Sequence, residues 1–102
     1  MSEPSPNAYQ LDQAQSASEQ IRNIAAYAKT IGKTKDFARI LRTAVQRMRN
    51  DPHQWGDPEF RAKTVDAVLC RGLVGPVVFR YVIYEQIHGV VLLSVKLYTD
   101  FA

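Results

Sequence analysis

The sequence has little sulfur and no long apolar run, and each shortage excludes a class of protein. Cys70 is the single cysteine, so the chain can form neither an internal disulfide nor a zinc site built on cysteines. The longest nearly apolar stretch, Gly89 to Val95, is far shorter than the roughly 20 residues that cross a bilayer. Residues 1–7 lack the basic and apolar regions of a secretory signal. We therefore expect a cytoplasmic, bacterial-type protein with no membrane partner.

The composition is that of an ordinary globular domain. Hydrophobic residues make up 46% of the chain and charged residues 23%, and a chain of 102 residues holds one hydrophobic core. Residues 1–8 are rich in proline and serine, so we predict a flexible tail there. We predict a single domain over residues 9–102. The net charge of +3 permits an anionic partner without requiring one.

Two segments in the first half have the period of amphipathic helices. Between Ser16 and Ile31 the apolar residues recur at steps of four and three, and Gly32 suits the left-handed residue that ends a helix. Ser16 and Glu19 have the spacing of a capping box. A second helix is predicted from residue 34 to residue 50, before Pro52. The short gap between them predicts a helical hairpin.

From Val65 onwards the residues are those of β-strands. Trp55, in a turn-like segment, is expected to fill a core edge. The prediction is an α+β fold in which the helical hairpin packs on one face of a small antiparallel sheet. Its strands are predicted at residues 69–74, 77–86 and 90–99, and a short edge strand at residues 9–13 is left open.

The last hairpin can be closed in two registers. A two-residue loop, His88-Gly89, mixes polar and apolar residues on both faces of the sheet. A three-residue loop from Ile87 to Gly89, with Gly89 left-handed, separates them, and is preferred. It places Arg80 opposite Lys96 on the uncovered face, together with Tyr84 and Tyr98, and leaves the other face apolar, with its pairs Phe79 with Leu97, Tyr81 with Val95 and Ile83 with Leu93.

The second helix carries a stripe of cations. Lys35, Arg39, Arg42 and Arg49 recur at helical spacing, which is typical of a solvated surface or of a platform for nucleic acid or an acidic partner. Because the two histidines, His53 and His88, are far apart in the sequence, we expect no metal site. We also expect no cofactor and no small-molecule ligand.

Four segments resemble the RelE/ParE superfamily of bacterial type II toxins. The segment from Phe79 to Glu85 is similar to that family's aromatic-Arg-hydrophobic-hydrophobic-Tyr central strand, and Val90 to Val95 resembles the strand that follows. Arg49-Asn50-Asp51-Pro52 resembles the end of its second helix, and Leu73-Val74-Gly75 its Val-Gly turn. The resemblance covers about residues 8–98.

The resemblance implies a toxin held by a cognate antitoxin, with a cationic site on the sheet. In a ribosome-associated endoribonuclease of mRNA, Arg80 would stabilise charge, Tyr98 or Lys96 would exchange protons, and Arg71 would grip phosphate. The helix stripe of Lys35, Arg39, Arg42 and Arg49 would add RNA contacts.

The sequence also departs from the family pattern, so other functions stay open. The chain ends at Ala102, the family's Gly-His or Gly-Lys-Arg ending is replaced by Lys96-Leu97-Tyr98, and Pro76-Val77-Val78 is inserted before the central strand. The alternatives are a ParE-like inhibitor that binds DNA gyrase, and an inactive descendant that only binds a partner.

Overall fold

The computed structural model describes residues 7–102, so most of the expected tail lies outside the described residues. Helices α1, α2 and α3 and strands β1 to β5 follow the order β1-α1-α2-α3-β2-β3-β4-β5. The helices are Gln15–Thr30, Thr34–Asn50 and Pro52–Trp55. The strands are Gln10–Gln13, Asp57–Ala62, Ala67–Val74, Val77–Tyr84 and Gly89–Leu97.

The five strands form one mixed sheet in the order β1-β5-β4-β3-β2. Strands β3, β4 and β5 pair antiparallel in that order, as predicted, and β2 adds an unpredicted antiparallel strand beside β3. The edge strand that the sequence left open does form, and β1 pairs parallel to β5, with Leu11 opposite Val90. This parallel pair makes the sheet mixed instead of wholly antiparallel. All the other helices and strands lie between β1 and β5 in the sequence.

The helices pack on one face of the sheet, as the change of hydrophobic period predicts. The buried positions Ala17, Ile24 and Ala28 of α1 recur at helical spacing. Phe37, Ala44 and Met48 do the same in α2, and these faces meet the alternate inward residues of β3, β4 and β5. Within residues 7–102, no helix is long and apolar enough to span a membrane.

The helix ends differ from the capping prediction. Gly32 adopts the predicted left-handed conformation, with φ of 71°. The capping box does not form, because α1 begins at Gln15 with Ala14 as its N-cap. The Ser16 hydroxyl instead donates a hydrogen bond to the Leu93 carbonyl, 3.1 Å away, and so fastens α1 to β5.

The turn-like segment around Trp55 forms a short helix, and a strand that was not predicted begins within it. Pro52–Trp55 forms α3, and β2 follows at once as the outer strand beside β3. Trp55 stacks on Tyr81, with ring centroids 5.5 Å apart and an interplanar angle of 10°. This contact confirms that Trp55 fills the edge of the core.

The predicted register of the β4–β5 hairpin is wrong. Tyr84 pairs with Gly89, so four residues form the turn, and His88 rather than Gly89 is left-handed, with φ of 49°. The register shifts between Arg80, which pairs with Ser94, and Tyr81, which pairs with Leu92. Leu93 is the extra residue of this bulge and turns outward. The bulge keeps the buried apolar residues on one face of the sheet and the polar residues on the other. A strand with strictly alternating inward and outward side chains could not do this in the observed register. The observed partners also replace the three predicted apolar pairs: Phe79 with Val95, Tyr81 with Leu92, and Ile83 with Val90.

Candidate functional site

The face of the sheet opposite the helices carries a groove lined by both charged and apolar side chains. Its volume is about 460 Å³. Side chains from β2, β3, β4, β5 and the residue after β5 line it: Glu59, Arg71, Val78, Arg80, Ser94, Lys96, Leu97 and Tyr98. Three of these side chains are cations and one is a carboxylate, so the groove favours an anionic ligand.

Two arginines face each other at the centre of the groove. Arg71 on β3 pairs directly with Arg80 on β4, and both are exposed. The Arg80 Nε donates to Glu59 Oε1 at 3.2 Å, and the two groups form an ion pair. Among the described residues, no carboxylate pairs with Arg71. Like charges directly opposite on neighbouring strands repel, so the arrangement costs stability that an anion would restore.

Lys96 and Tyr98 complete the groove on the β5 side. Lys96 pairs with Val78, which makes it the diagonal neighbour of Arg80 rather than its direct partner. The predicted Arg80–Lys96 pair is therefore wrong, yet both side chains reach the same groove. Tyr98 follows the end of β5, where its backbone N–H donates to the Pro76 carbonyl at 3.0 Å. Its side chain is 64% exposed.

The structure brings together one part of the predicted site and separates another. Arg71, Arg80, Lys96 and Tyr98 all line the groove. The helix stripe does not reach it, because α2 packs on the opposite face of the sheet. Lys35, Arg39 and Arg42 are exposed on α2, and Arg49 is half-buried.

Two of the stripe's cations have their own local environment. Arg39 forms an ion pair with Asp36, with 3.7 Å between Nη1 and Oδ1. The Nε of Arg49 is buried and has no hydrogen-bond partner among the described residues.

Glu59 and Ser94 are groove residues that the sequence interpretation missed. Glu59 lies at a bulge between Pro58 and Phe60 in β2, a strand that the sequence interpretation did not predict. The register shift in β5 brings Ser94 opposite Arg80. A signal for Glu59 did exist, since a carboxylate near a row of cations is a natural partner, but only the pairing of β2 with β3 shows where it lies.

A second polar cluster joins the start of β1 to the β4–β5 turn. The Tyr9 hydroxyl donates to Glu85 Oε1 at 2.9 Å, and His53 Nε2 bonds to the same oxygen. His88 stacks on Tyr9 with ring centroids 3.8 Å apart. The two histidines, distant in the sequence, thus belong to one cluster.

Contacts within the cluster shift the pKa values of Glu85 and Tyr9. The hydrogen bond from His53, and then that from Tyr9, hold the pKa of Glu85 below its ordinary value, against the effect of burial. Burial and the bond to Glu85 raise the pKa of Tyr9 to about 12. This cluster ties down β1 and stands apart from the groove residues.

Neither the groove nor the cluster around Glu85 has the ligands of a metal site. Within the described part of the chain, no group of three or more histidine, cysteine, aspartate or glutamate side chains is placed to hold a metal ion. Cys70 is buried, and burial raises the pKa of its thiol.

The fold is similar to that of a known complex. No protein-family model and no curated protein matches the chain. A chain in the crystal structure of the toxin–antitoxin complex RelBE2 from Mycobacterium tuberculosis matches with a TM-score of 0.70 and 16% sequence identity. The match covers 96% of this chain and 100% of that one. The predicted resemblance is thus confirmed for the architecture, and the chain has the α+β fold of the RelE-like toxins.

Proposed function

We propose that this chain is the toxin of a toxin–antitoxin pair and that its groove binds and cleaves messenger RNA on the ribosome. The observation that carries the proposal is the direct opposition of Arg71 and Arg80, with Lys96 beside them and Glu59 as the carboxylate partner of Arg80. A fold gains nothing from placing two arginines face to face. An anionic ligand with charge on several oxygens, such as a phosphodiester, relieves the repulsion between the two arginines and can bind both of them.

The groove contains the groups that RNA cleavage needs. Attack of a ribose 2′-hydroxyl on the adjacent phosphorus requires a base for the 2′ proton, cations for the extra negative charge, and an acid for the departing 5′ oxygen. Glu59 supplies a carboxylate that can take the proton, and its bond to Arg80 orients it. Arg71 and Arg80 would hold the phosphoryl oxygens, while Lys96 or Tyr98 would donate a proton to the departing 5′ oxygen.

The fold neighbour was crystallised as a toxin–antitoxin complex, which supports a protein antitoxin as the partner of this chain. Expression of the chain alone is expected to slow bacterial growth in the cytoplasm, and coexpression of its antitoxin to relieve the effect. Unaffected growth at high expression of folded protein would favour an inactive descendant that only binds a partner.

A second function is favoured by the separate surface on α2. Lys35, Arg39 and Arg42 are exposed on the far side of the sheet from the groove, so they offer an independent contact for a protein such as DNA gyrase. A gyrase inhibitor would need this surface and not the groove. Charge reversal on α2, compared with Arg80→Ala in the groove, separates the two functions.

The test is cleavage of messenger RNA by translating ribosomes supplied with the purified protein. The unmodified protein is expected to cut within the message, and Arg80→Ala and Glu59→Gln to cut much more slowly while remaining folded. Cleavage that is unchanged in both variants would contradict the proposal.

A further inference from the structure

The open face of the sheet has an apolar row beside the cationic one. Phe60 on β2 pairs with Leu69 on β3, and Leu69 pairs with Val82 on β4. This row runs parallel to that of Arg71 and Arg80, and each of its β3 and β4 residues lies two positions away from an arginine. Side chains two positions apart in a strand share a face, and about 6.5 Å separates them along the strand.

Phe60 is the most exposed member of this row. Its side chain is 64% exposed, whereas Leu69 and Val82 are half-buried. It also follows Glu59, the residue that bonds to Arg80. A large aromatic ring at the edge of a cationic groove, outside the buried core, suits a ligand that has an apolar flat surface as well as negative charge.

We infer that Phe60 is a stacking platform for an RNA base whose neighbouring phosphate lies between Arg71 and Arg80. The inference rests on the proposed function and extends it to a specific base-binding position. A ribose alone separates a phosphate from its base, so adjacent rows of one sheet face can contact both. Aromatic side chains that stand on an open sheet and stack unpaired bases are a common means of binding single-stranded RNA.

The mixed character of this face favours RNA over an acidic protein segment. An acidic peptide would satisfy Arg71 and Lys96 with its carboxylates, but any ring that it offers Phe60 would have to come from a different residue. A nucleotide satisfies both rows at once, because its charge and its apolar ring are joined in one unit. The expected ligand is therefore a single-stranded, unstacked stretch of RNA.

The experiment measures the affinity of the full chain for a short labelled single-stranded RNA by fluorescence anisotropy at low salt. The same RNA with an abasic site is the second probe. Phe60→Ala is expected to bind the base-bearing RNA about tenfold more weakly, a loss typical of one stacked base. Phe60→Trp is expected to keep the affinity of the unmodified protein, because it keeps an aromatic face.

Two controls distinguish stacking from general disturbance of the sheet. Val65→Ala removes another exposed apolar side chain, in the turn after β2, and is expected to leave RNA binding unchanged. Arg80→Ala is expected to weaken both RNAs and to reduce the salt dependence by about one phosphate contact. Phe60→Ala is expected to leave that salt dependence unaltered.

The outcomes separate this inference from the proposed function. If Phe60→Ala binds the base-bearing RNA as well as the unmodified protein does, while Arg80→Ala binds it poorly, the stacking role is wrong and the RNA groove stands. If Phe60→Ala weakens both RNAs equally, Phe60 serves the groove's structure and not a base. If the unmodified protein binds neither RNA, or Arg80→Ala changes nothing, the proposed function fails and the inference with it.

Discussion

Arg71 and Arg80 lie directly opposite each other on β3 and β4, and only Arg80 has a carboxylate partner within the described chain, namely Glu59. The folded protein therefore carries a repulsion at the centre of its groove that Glu59 relieves only on the Arg80 side. Such repulsion is common where a site is built for its ligand and not for stability.

Arg71→Gln is therefore expected to stabilise the free protein. Removing the repulsion should raise the free energy of unfolding by about 0.5 kcal/mol, which corresponds to about 3 °C in the melting temperature of a domain of this size. Thermal unfolding at low salt measures the gain, and high salt should reduce it because ions screen exposed charges. A loss of stability at both salt concentrations would show that Arg71 is held by contacts of its own.

The pKa of Glu85 predicts an acid-dependent stability. Since bonds from His53 and Tyr9 hold this pKa below its ordinary value of 4.5, the ionised carboxylate stabilises the fold fully above pH 4.5. That contribution is lost as the pH falls through the lower pKa of the folded protein. Glu85→Gln is expected to cost about 1 kcal/mol at pH 7, a value reduced by the partial exposure of the side chain.

The measurement is the melting temperature of both proteins across a pH series. The deficit of Glu85→Gln should shrink as the pH falls below 4.5. Glu19→Gln, an exposed carboxylate change on α1, is the matched control and is expected to show no such trend. An equal deficit at all pH values would mean that the amide disturbs packing and that the charge of Glu85 contributes nothing.

Gly72 has no room for a side chain. A Cβ at this position of β3 would lie 2.6 Å from the Trp55 ring, which cannot simply move aside because it stacks on Tyr81. Gly72→Ala is expected to destabilise the protein by about 1 to 3 kcal/mol, as overpacking does in other cores. Chemical denaturation checks this, and Trp55→Leu in the same chain should recover part of the loss. Equal effects of Gly72→Ala with and without Trp55 would place the strain elsewhere.

Local periodicity was sufficient for the helices and the sheet but not for the register of β5. The bounds of α2 follow from its apolar period and from Pro52, both of which are local signals. The bulge at Leu93 is not, because a leucine in an apolar strand carries no mark of facing outward. Simple alternation therefore pairs Arg80 with Lys96, whereas the folded sheet pairs it with Ser94.

The cations of the groove could be predicted from the sequence, but its carboxylate, Glu59, could not. Arg71 and Arg80 stand at outward positions of strands that the sequence identifies. Glu59 lies in β2, whose residues Asp57 and Pro58 are typical of a turn, and this strand forms because β3 offers it an open edge. The grouping of His53 with His88 around Glu85 likewise depends on long-range contacts.

The surface on α2 gives a prediction for the gyrase-binding function. If that function is the correct one, Arg39→Glu combined with Arg42→Glu should abolish toxicity, while Arg80→Ala should be tolerated. Growth of cells that express each variant at matched levels measures this. If the proposed RNA groove is the functional site, the double reversal on α2 leaves growth arrest intact.

The central claim is tested most directly by the rate of messenger RNA cleavage on translating ribosomes, with DNA supercoiling by gyrase measured beside it. Arg80→Ala removes a charged contact that strengthens in the transition state and is expected to lower the cleavage rate about a hundredfold, or on the order of 3 kcal/mol. The side chain faces outward, so the variant should keep its fold. Cleavage by the unmodified protein that is lost in Arg80→Ala, with supercoiling unaffected, is the predicted result; no cleavage by the unmodified protein, together with blocked supercoiling, would contradict the assignment of the groove to RNA.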